Sequence, residues 1–513
     1  MASPNIVVTG SVRSHPRHAK TVPQAVPLSL LDATTANFAL TNAIWLFQRP
    51  QLSRSEGFDL SKHLCDALSV NLDAYPQWTG RIKAIQTVDG QSPEATRDFP
   101  PHARRFGRLY VQFGDEEDPG VDFITATSPC TVDELHPADR VDSQPLWDGH
   151  KIGLNSFISA ADIATPFGAD EQGEDGLQMP LMAIQLTNLA CGGFVLTDWA
   201  NISRMVISGL DEPVAQSVFD PSKLDNLAAG DINSQDPSPE VLAHTKELPL
   251  HRYDWWLSAA TCPFPMPIPE PFRKENLESA GAMMPWSEWD KQIEFLWAEI
   301  NKDSAQSFSQ HDAILAHIWS CIARARKLGG DAGPIHCDLV YGVRPALGLG
   351  NSFIGSPIIM MNVEMAATEV GGVQKAASLQ PIASRIRETI AQFAQPEPIA
   401  HHLHSVAYEK SPQRLWQAFL GQRHILVKSW ARAGVYDVDF GFDAVLRYVD
   451  GVVPYMDGNV VIKEAPPRLR NSGGGTELKS PEWTDHGVDV TIHICAEDMK
   501  RLLEDPLLLP SID

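Results

Sequence analysis

Apolar residues in this chain fall into two rhythms. From Asp59 to Leu72, the residues Leu60, Leu64, Ala67, Leu68 and Leu72 recur at three- and four-residue spacing, which predicts a helix with one buried face. Around it, short apolar runs bounded by turn residues predict strands at Asn5 to Val12, Ala43 to Phe47, within YPQWTGRIKAIQTV, and at Arg105 to Phe113. Leu28, Leu30 and Leu31 anchor a buried turn at Asp32. Met182-Ala183-Ile184 and Gly193-Phe194-Val195-Leu196 flank a turn-like Thr187-Asn188 and a small Cys191-Gly192-Gly193. They read as paired core strands that run straight into a helix, Trp199 to Val206, with only Thr197 and Asp198 between.

Residues 211–250 change character: Asp, Pro, Ser and Gly dominate, and apolar anchors are scattered, so the stretch reads as a crossover connection. Beyond the proline-rich CPFPMPIPEPF, Ser309-Gln310-His311-Asp312 has the form of a capping box, with Ile314, Ile318, Cys321 and Ile322 as the stripe behind it and Gly329-Gly330 as the stop. Strands are expected at Ile335 to Val343 and Ile358 to Glu364, and helices at Arg385 to Phe393 and Gln413 to Leu420. HILVKSW, YDVDFGF, AVLRYV, GNVVIKEA and VDVTIHI read as short strands before a closing helix, Glu497 to Glu504. Both halves are therefore α/β. The expected domains are 1–210 and 251–513, joined by 211–250.

A chain of 513 residues is too long for one core, in keeping with two domains. A formal charge of −23 and a pI near 5.1 argue against nucleic acid or an anionic membrane as partner, because both demand a positive surface. Seven cysteines, at 65, 130, 191, 262, 321, 337 and 495, form no CxxC pair and fit a reducing compartment. No apolar run reaches spanning length and MASPNIVVTG lacks a signal pattern, so a cytoplasmic, soluble protein is expected, and the Asn201-Ile202-Ser203 sequon reads as accidental.

Asp439-Phe440-Gly441-Phe442-Asp443 resembles the DFGWG signature of the BAHD acyl-CoA-dependent acyltransferases, in the form of their fungal secondary-metabolism members. LSLLD, YPQWTGRI, AIQLTNLACGG, FDPSKL, SQHDAILAHIW, VYGVRPALGLGNSFIGSPI and VTIHICAEDMKRLL match the same family in the same order, over residues 28 to 504. The resemblance implies two chloramphenicol-acetyltransferase-like α/β domains with a channel between them. It further implies acyl-CoA as co-substrate with no other cofactor, a small-molecule hydroxyl or amine acceptor, and a monomer. In that family a histidine of an HxxxD loop, following the Cys-Gly-Gly strand, takes the acceptor's proton, a task suited to a neutral imidazole. Its Asp pairs with an arginine of the second domain, for which Arg344 is the matching position.

This chain departs from the pattern at that loop. None of its 17 histidines has Asp four residues later, and the single H-x-x-x-acid, His493 to Glu497, lies on the closing strand and helix. FVL matches the strand before the family loop and TDWANISRMV the helix well after it, so the loop looks excised and no catalytic residue is assigned. Three readings stay open: a dropped loop, a non-catalytic binder or regulator, and a different reaction in the same channel. Asp439, Phe440, Gly441 and Phe442 are read as structural, and Arg344 as an interdomain or channel residue. His401, His402 and His404 read as a solvated helix-start cluster, not a metal site, because no ligand sits nearer than Glu397.

Overall fold

A computed structural model describes residues 4–18, 22–35, 42–50, 58–86, 93–138, 146–148, 152–159, 161–165, 171–173, 176–196, 218–250, 280–284, 290–350, 352–409, 412, 422–440, 444–452, 457–467, 483–484 and 486–509. Fifteen strands lie among them. In chain order they are β1 (Val7–Ser14), β2 (Gln24–Pro27), β3 (Asn42–Phe47), β4 (Arg81–Ala84), β5 (Leu109–Phe113), β6 (Val121–Ser128), β7 (Ala183–Leu189), β8 (Phe194–Leu196), β9 (Ala280–Met284), β10 (Pro334–Gly342), β11 (Ile358–Ala366), β12 (His424–Ser429), β13 (Leu446–Val452), β14 (Asn459–Glu464) and β15 (Val488–Cys495).

They build two six-stranded mixed sheets, in the orders β1-β6-β7-β8-β3-β13 and β11-β10-β12-β14-β15-β9, and a small sheet β2-β5-β4. Sheet membership does not follow the halves of the sequence. β13 comes from the second half and pairs antiparallel with β3 of the first, Val449 opposite Trp45. Each six-stranded sheet thus belongs to one lobe, and β13 ties the lobes together covalently.

The amphipathic helix expected over 59–72 is Leu60–Ala74, capped by Asp59 and burying Leu64, Ala67, Leu68 and Leu72 against the first sheet. In the second lobe the helix Gln310–Ala325 starts at the expected capping box of Ser309 and Asp312 and is buried along nearly its whole length. That helix does not end on a glycine, as the sequence suggested: Lys327 takes the left-handed conformation (φ 58°). Gly329 is needed instead for close approach, since a Cβ there would lie 2.9 Å from the carbonyl oxygen of Gly371. The packing requirement outranks the cap.

Several expectations shift in detail. Thr187 and Asn188 are not a turn but lie inside β7, where the ladder to β6 runs through Leu189, and the turn is Ala190 to Gly192. The stretch 436–440 is not a strand. The helix Gln380–Ala391 is followed by a further helix, Pro396–Tyr408, that carries the histidine cluster. His402 and His404 are buried there, 7% and 1% exposed, not solvated. His404 accepts from the backbone N–H of Ser238 (3.0 Å) and reaches the Ala229 carbonyl (2.7 Å), which explains its burial. The predicted helices 199–206 and 413–420 and the proline-rich run 262–272 lie outside the described residues.

Residues 218–250 do more than connect. Leu224 and Ile232 are buried in the second lobe's core, together with Leu30 and Leu31 of the first half. Few apolar residues suffice because the backbone is pinned as well: Ala229 donates to Ala400, and Leu250 bridges to Met361.

Candidate functional site

The elements that carry the sequence motifs meet where the two lobes join. β8 reaches this junction as the last described strand before residue 197. Its Phe194 lies opposite Phe47 of β3, and the two rings stack at 4.8 Å with 13° between their planes. Phe440 of the Asp439-Phe440 pair, 2% exposed, meets the same Phe47 ring edge-on at 5.6 Å and 76°. Offset stacking and edge-to-face packing are the favoured aromatic geometries, so the three rings form a plug at the start of β8. Phe440 sits in the core of the first lobe even though the residue belongs to the second half. Asp439 is exposed beside it. Gly441, Phe442 and Asp443 lie outside the described residues, as does 197–217, where the family loop would stand.

The segment that delivers Phe440 is anchored at several points. Trp45 Nε1 donates to the Val435 carbonyl (3.1 Å), and the backbone N–H of Val449 donates to the Tyr436 hydroxyl (3.2 Å). Trp430 lies across Gly451, where a Cβ would come within 2.5 Å of the indole, so only glycine fits. Behind this crossing, fully buried Lys463 donates to the Tyr448 hydroxyl (2.9 Å), the Val449 carbonyl (2.6 Å) and Asp450 (2.9 Å). That pair links β14 of the second sheet to β13 of the first.

Arg344 lies at the end of β10, in a loop that folds back on itself. Its Nη1 donates to the carbonyls of Gly350 and Phe353, both at 2.9 Å, and the guanidinium stands 5.7 Å from the Phe353 ring. Among the described residues it forms no ion pair with a carboxylate. Phe353 and its neighbours in turn hold the chain just after the undescribed stretch: Val218 donates to Ser352, and Ile354 donates back to Val218.

Asp32, which the sequence marks only as a buried turn, is a second junction residue. One carboxylate oxygen accepts from the Ser29 hydroxyl (2.6 Å) and backbone N–H (3.0 Å), while the other accepts the Ser356 N–H across the junction (2.7 Å). Asp225 of FDPSKLD acts similarly, accepting from Leu30 N–H (2.8 Å) and facing His102 Nε2 (3.2 Å). Burial pushes its carboxyl above the usual range, with His102 and the Leu30 N–H opposing that rise. Arg108, 2% exposed, donates to the Val406, Ala407 and Glu409 carbonyls at the end of the helix Pro396–Tyr408. Burial lowers this guanidinium to about 10. LSLLD, FDPSKL and NSFIGSP are thus distant in sequence but joined through backbone N–H groups that an aspartate can reach.

A possible ligand set of Asp457, Cys495 and Asp498 gathers within 4.8 Å. Its charge is already met: Arg326 Nη2 contacts Asp457 at 2.7 Å, and burial pushes the Cys495 thiol up to about 11, away from the thiolate a metal requires. His493 and Glu497 do not form a site, since His493 is buried on β15 and Glu497 is an outward-facing helix residue 4.0 Å from Arg501.

Two mixed α/β lobes, with a strand of the second half completing the first sheet and a DFG phenylalanine packed beneath β8, define a two-domain acyltransferase scaffold. A family model described as the Transferase family matches residues 279–505. Acyltransferase AFT15-1 of Alternaria alternata is 24% identical, covering 95% of this chain and 94% of that protein. Acyltransferase abl6 of Leptosphaeria maculans is 23% identical, covering 98% of each. The structure of F. graminearum TRI101 complexed with ethyl coenzyme A superposes with a TM-score of 0.62 at 16% identity, covering 95% of this chain and 98% of that one. Vinorine synthase does so with a TM-score of 0.57 at 13% identity, covering 99% of each. The chain is thus similar over nearly its whole length to fungal acyltransferases, and its second half matches the Transferase family.

Proposed function

We propose that the scaffold takes an acyl-CoA and a small hydroxyl- or amine-bearing metabolite into the junction between the lobes, as a monomer in the cytoplasm, with acyl-CoA as co-substrate and no further cofactor. One observation carries this reading: Phe440, Phe47 and Phe194 build a packed floor under β8, the strand after which the family presents its proton acceptor. The related F. graminearum TRI101 has been crystallised with coenzyme A and deoxynivalenol, which supports a CoA-plus-acceptor site on this fold.

The chain as written lacks H-x-x-x-D, and so lacks the imidazole that would deprotonate the acceptor. It is therefore inactive or nearly so in intermolecular transfer, since general-base catalysis alone contributes on the order of 10² to 10⁴ in rate. The same absence favours a second reading, a family member that binds acyl-CoA or a metabolite without transferring, or that runs another reaction in the same place. The genomic sequence between the codons for Leu196 and Thr197 separates the two. An open frame encoding H-x-x-x-D identifies a dropped loop, and contiguous codons confirmed in the transcript support the second reading. Protein with the loop restored is expected to release free CoA thiol when an acceptor is added, and His→Ala in that loop to abolish the release. CoA binding without thiol release by the restored protein would overturn the transfer reading.

A further inference from the structure

The second sheet has two unlike faces. Ile425 and Val427 of β12, Val460 and Ile462 of β14 and Val490 and Ile492 of β15 pack into the helical core. The intervening residues point the other way, because side chains alternate along a strand. On that opposite face Lys428 lies in register with Val461 of β14, which lies in register with Thr491 of β15.

Two polar groups in this row lack partners. Lys428 is partly buried yet makes no hydrogen bond or ion pair among the described residues. Thr491 is fully buried, and its hydroxyl also has no partner there. The ammonium has three donors and no acceptor, and covering it without a counter-charge costs free energy that the fold recovers nowhere nearby. Lys463, on the adjacent strand β14 and the same face, shows how a structural lysine behaves: it is wholly buried and holds three acceptors. Of the charged groups near it, Asp338 is engaged with His424 (3.0 Å), Asp450 of β13 with Lys463, and Asp489 of β15 lies in register with Lys463 rather than with Lys428. Burial alone accordingly lowers its amine to about 8, where a tenth or so is neutral near pH 7.

The position matters as much as the state. Two residues beyond Lys428, Trp430 enters the first lobe's core with Val435 and Phe440, the same cluster that contains Phe194 of β8. Lys428 therefore stands where the second sheet hands the chain across the junction. A neutral amine attacks a thioester without help from a base, which suits a chain that has no imidazole to supply.

We propose that Lys428 is itself an acyl acceptor, forming an amide with the acyl group of an acyl-CoA bound at the junction. Its nitrogen attacks the thioester carbonyl, a C–N bond forms as the C–S bond breaks, and the amine proton passes to the departing thiolate, so that CoA leaves as free thiol. The substrate in this step rests on the acyl-CoA reading above.

The test incubates the full chain with acetyl-CoA at pH 7.5 and follows acetylation at each lysine by mass spectrometry. Lys62, exposed and paired with Asp66, is the reference. Lys428 is expected to be acetylated on the order of tenfold faster than Lys62, its larger neutral fraction being partly offset by the lower nucleophilicity of a weaker base. Excess CoA should slow Lys428 and leave Lys62 unchanged, and Lys428→Arg should gain no acetyl group at that position. A parallel arm uses an activated acetyl ester that carries no CoA. Slow labelling of Lys428 in both arms overturns this inference alone, and CoA binding by Lys428→Met then shows that the acyl-CoA reading survives. Fast labelling by the ester but not by acetyl-CoA overturns both. Lys428→Met replaces an uncompensated ammonium by an apolar chain of similar length and is expected to fold.

Discussion

Lys463 and Asp450 form an ion pair with less than 2% of either side chain exposed, and such pairs are costly to break and cheap to replace. Asp450→Ala is expected to cost about 3–5 kcal/mol, because it strands the ammonium, whereas Asp450→Leu with Lys463→Met should cost much less. Urea unfolding of Asp450→Ala and of the double variant measures this, and equal losses in both would refute it. Asp32 offers a second case. Asp32→Ala removes acceptors from Ser29 and from Ser356 and should cost about 1–3 kcal/mol, read as a lower melting temperature. Neither role was legible in the sequence: Asp32 meets Ser356 across 324 residues, and Asp450 and Lys463, though 13 residues apart, lie on strands of different sheets. The alternation in HILVKS and VDVTIHI did mark strands, and it also carried an unread signal: Lys428 and Thr491 sit on the phase opposite the apolar residues. Phe440 was marked by a motif match, while its seat in the other lobe was not legible.

At the scale of single elements, periodicity served well where burial falls on one face. The helices Leu60–Ala74 and Gln310–Ala325 were both foreseen, the second with its capping box. It failed for Pro396–Tyr408, where buried histidines disguise the apolar stripe as a polar one. Two buried histidines, His317 and His402, make their helices acid-sensitive. Burial lowers His317 and His402 to about 4 each. Unfolded, each titrates near 6.5, so the unfolded state binds more protons between these values. Stability is therefore unaffected above about pH 6.5, falls as pH drops below it, and levels off below about 4. Near pH 5 each histidine should cost about 2 kcal/mol. Urea midpoints at pH 7 and pH 5 check this, and His402→Leu is expected to narrow the gap between them. A gap unchanged in that variant would rule out His402 as a source.

For the molecule as a whole, the two lobes are expected to unfold together. β13 is shared by sequence with one lobe and by hydrogen bonds with the other. Asp32 and Arg108 each cross between the halves as well. Calorimetry should show one transition, and Arg108→Ala, which frees three helix-end carbonyls in a buried place, should lower it or split it into two. Two well-separated transitions in the unaltered chain would contradict this. The two-lobed plan was visible in the order of motifs along the chain. The exchange of β13 was not, because AVLRYV reads as an ordinary strand whichever sheet receives it.

That exchange has a consequence for biogenesis. Until the ribosome has released residue 452, β3 presents a bare hydrogen-bonding edge with Trp45 and Phe47 beside it, and nascent chains with such edges are prone to pair with one another. A fragment ending near residue 250 should aggregate on expression, and supplying the 251–513 half in the same cell should rescue some of it. Chaperone dependence in this protein would then be greatest during translation of the second half, while the first is waiting for its last strand.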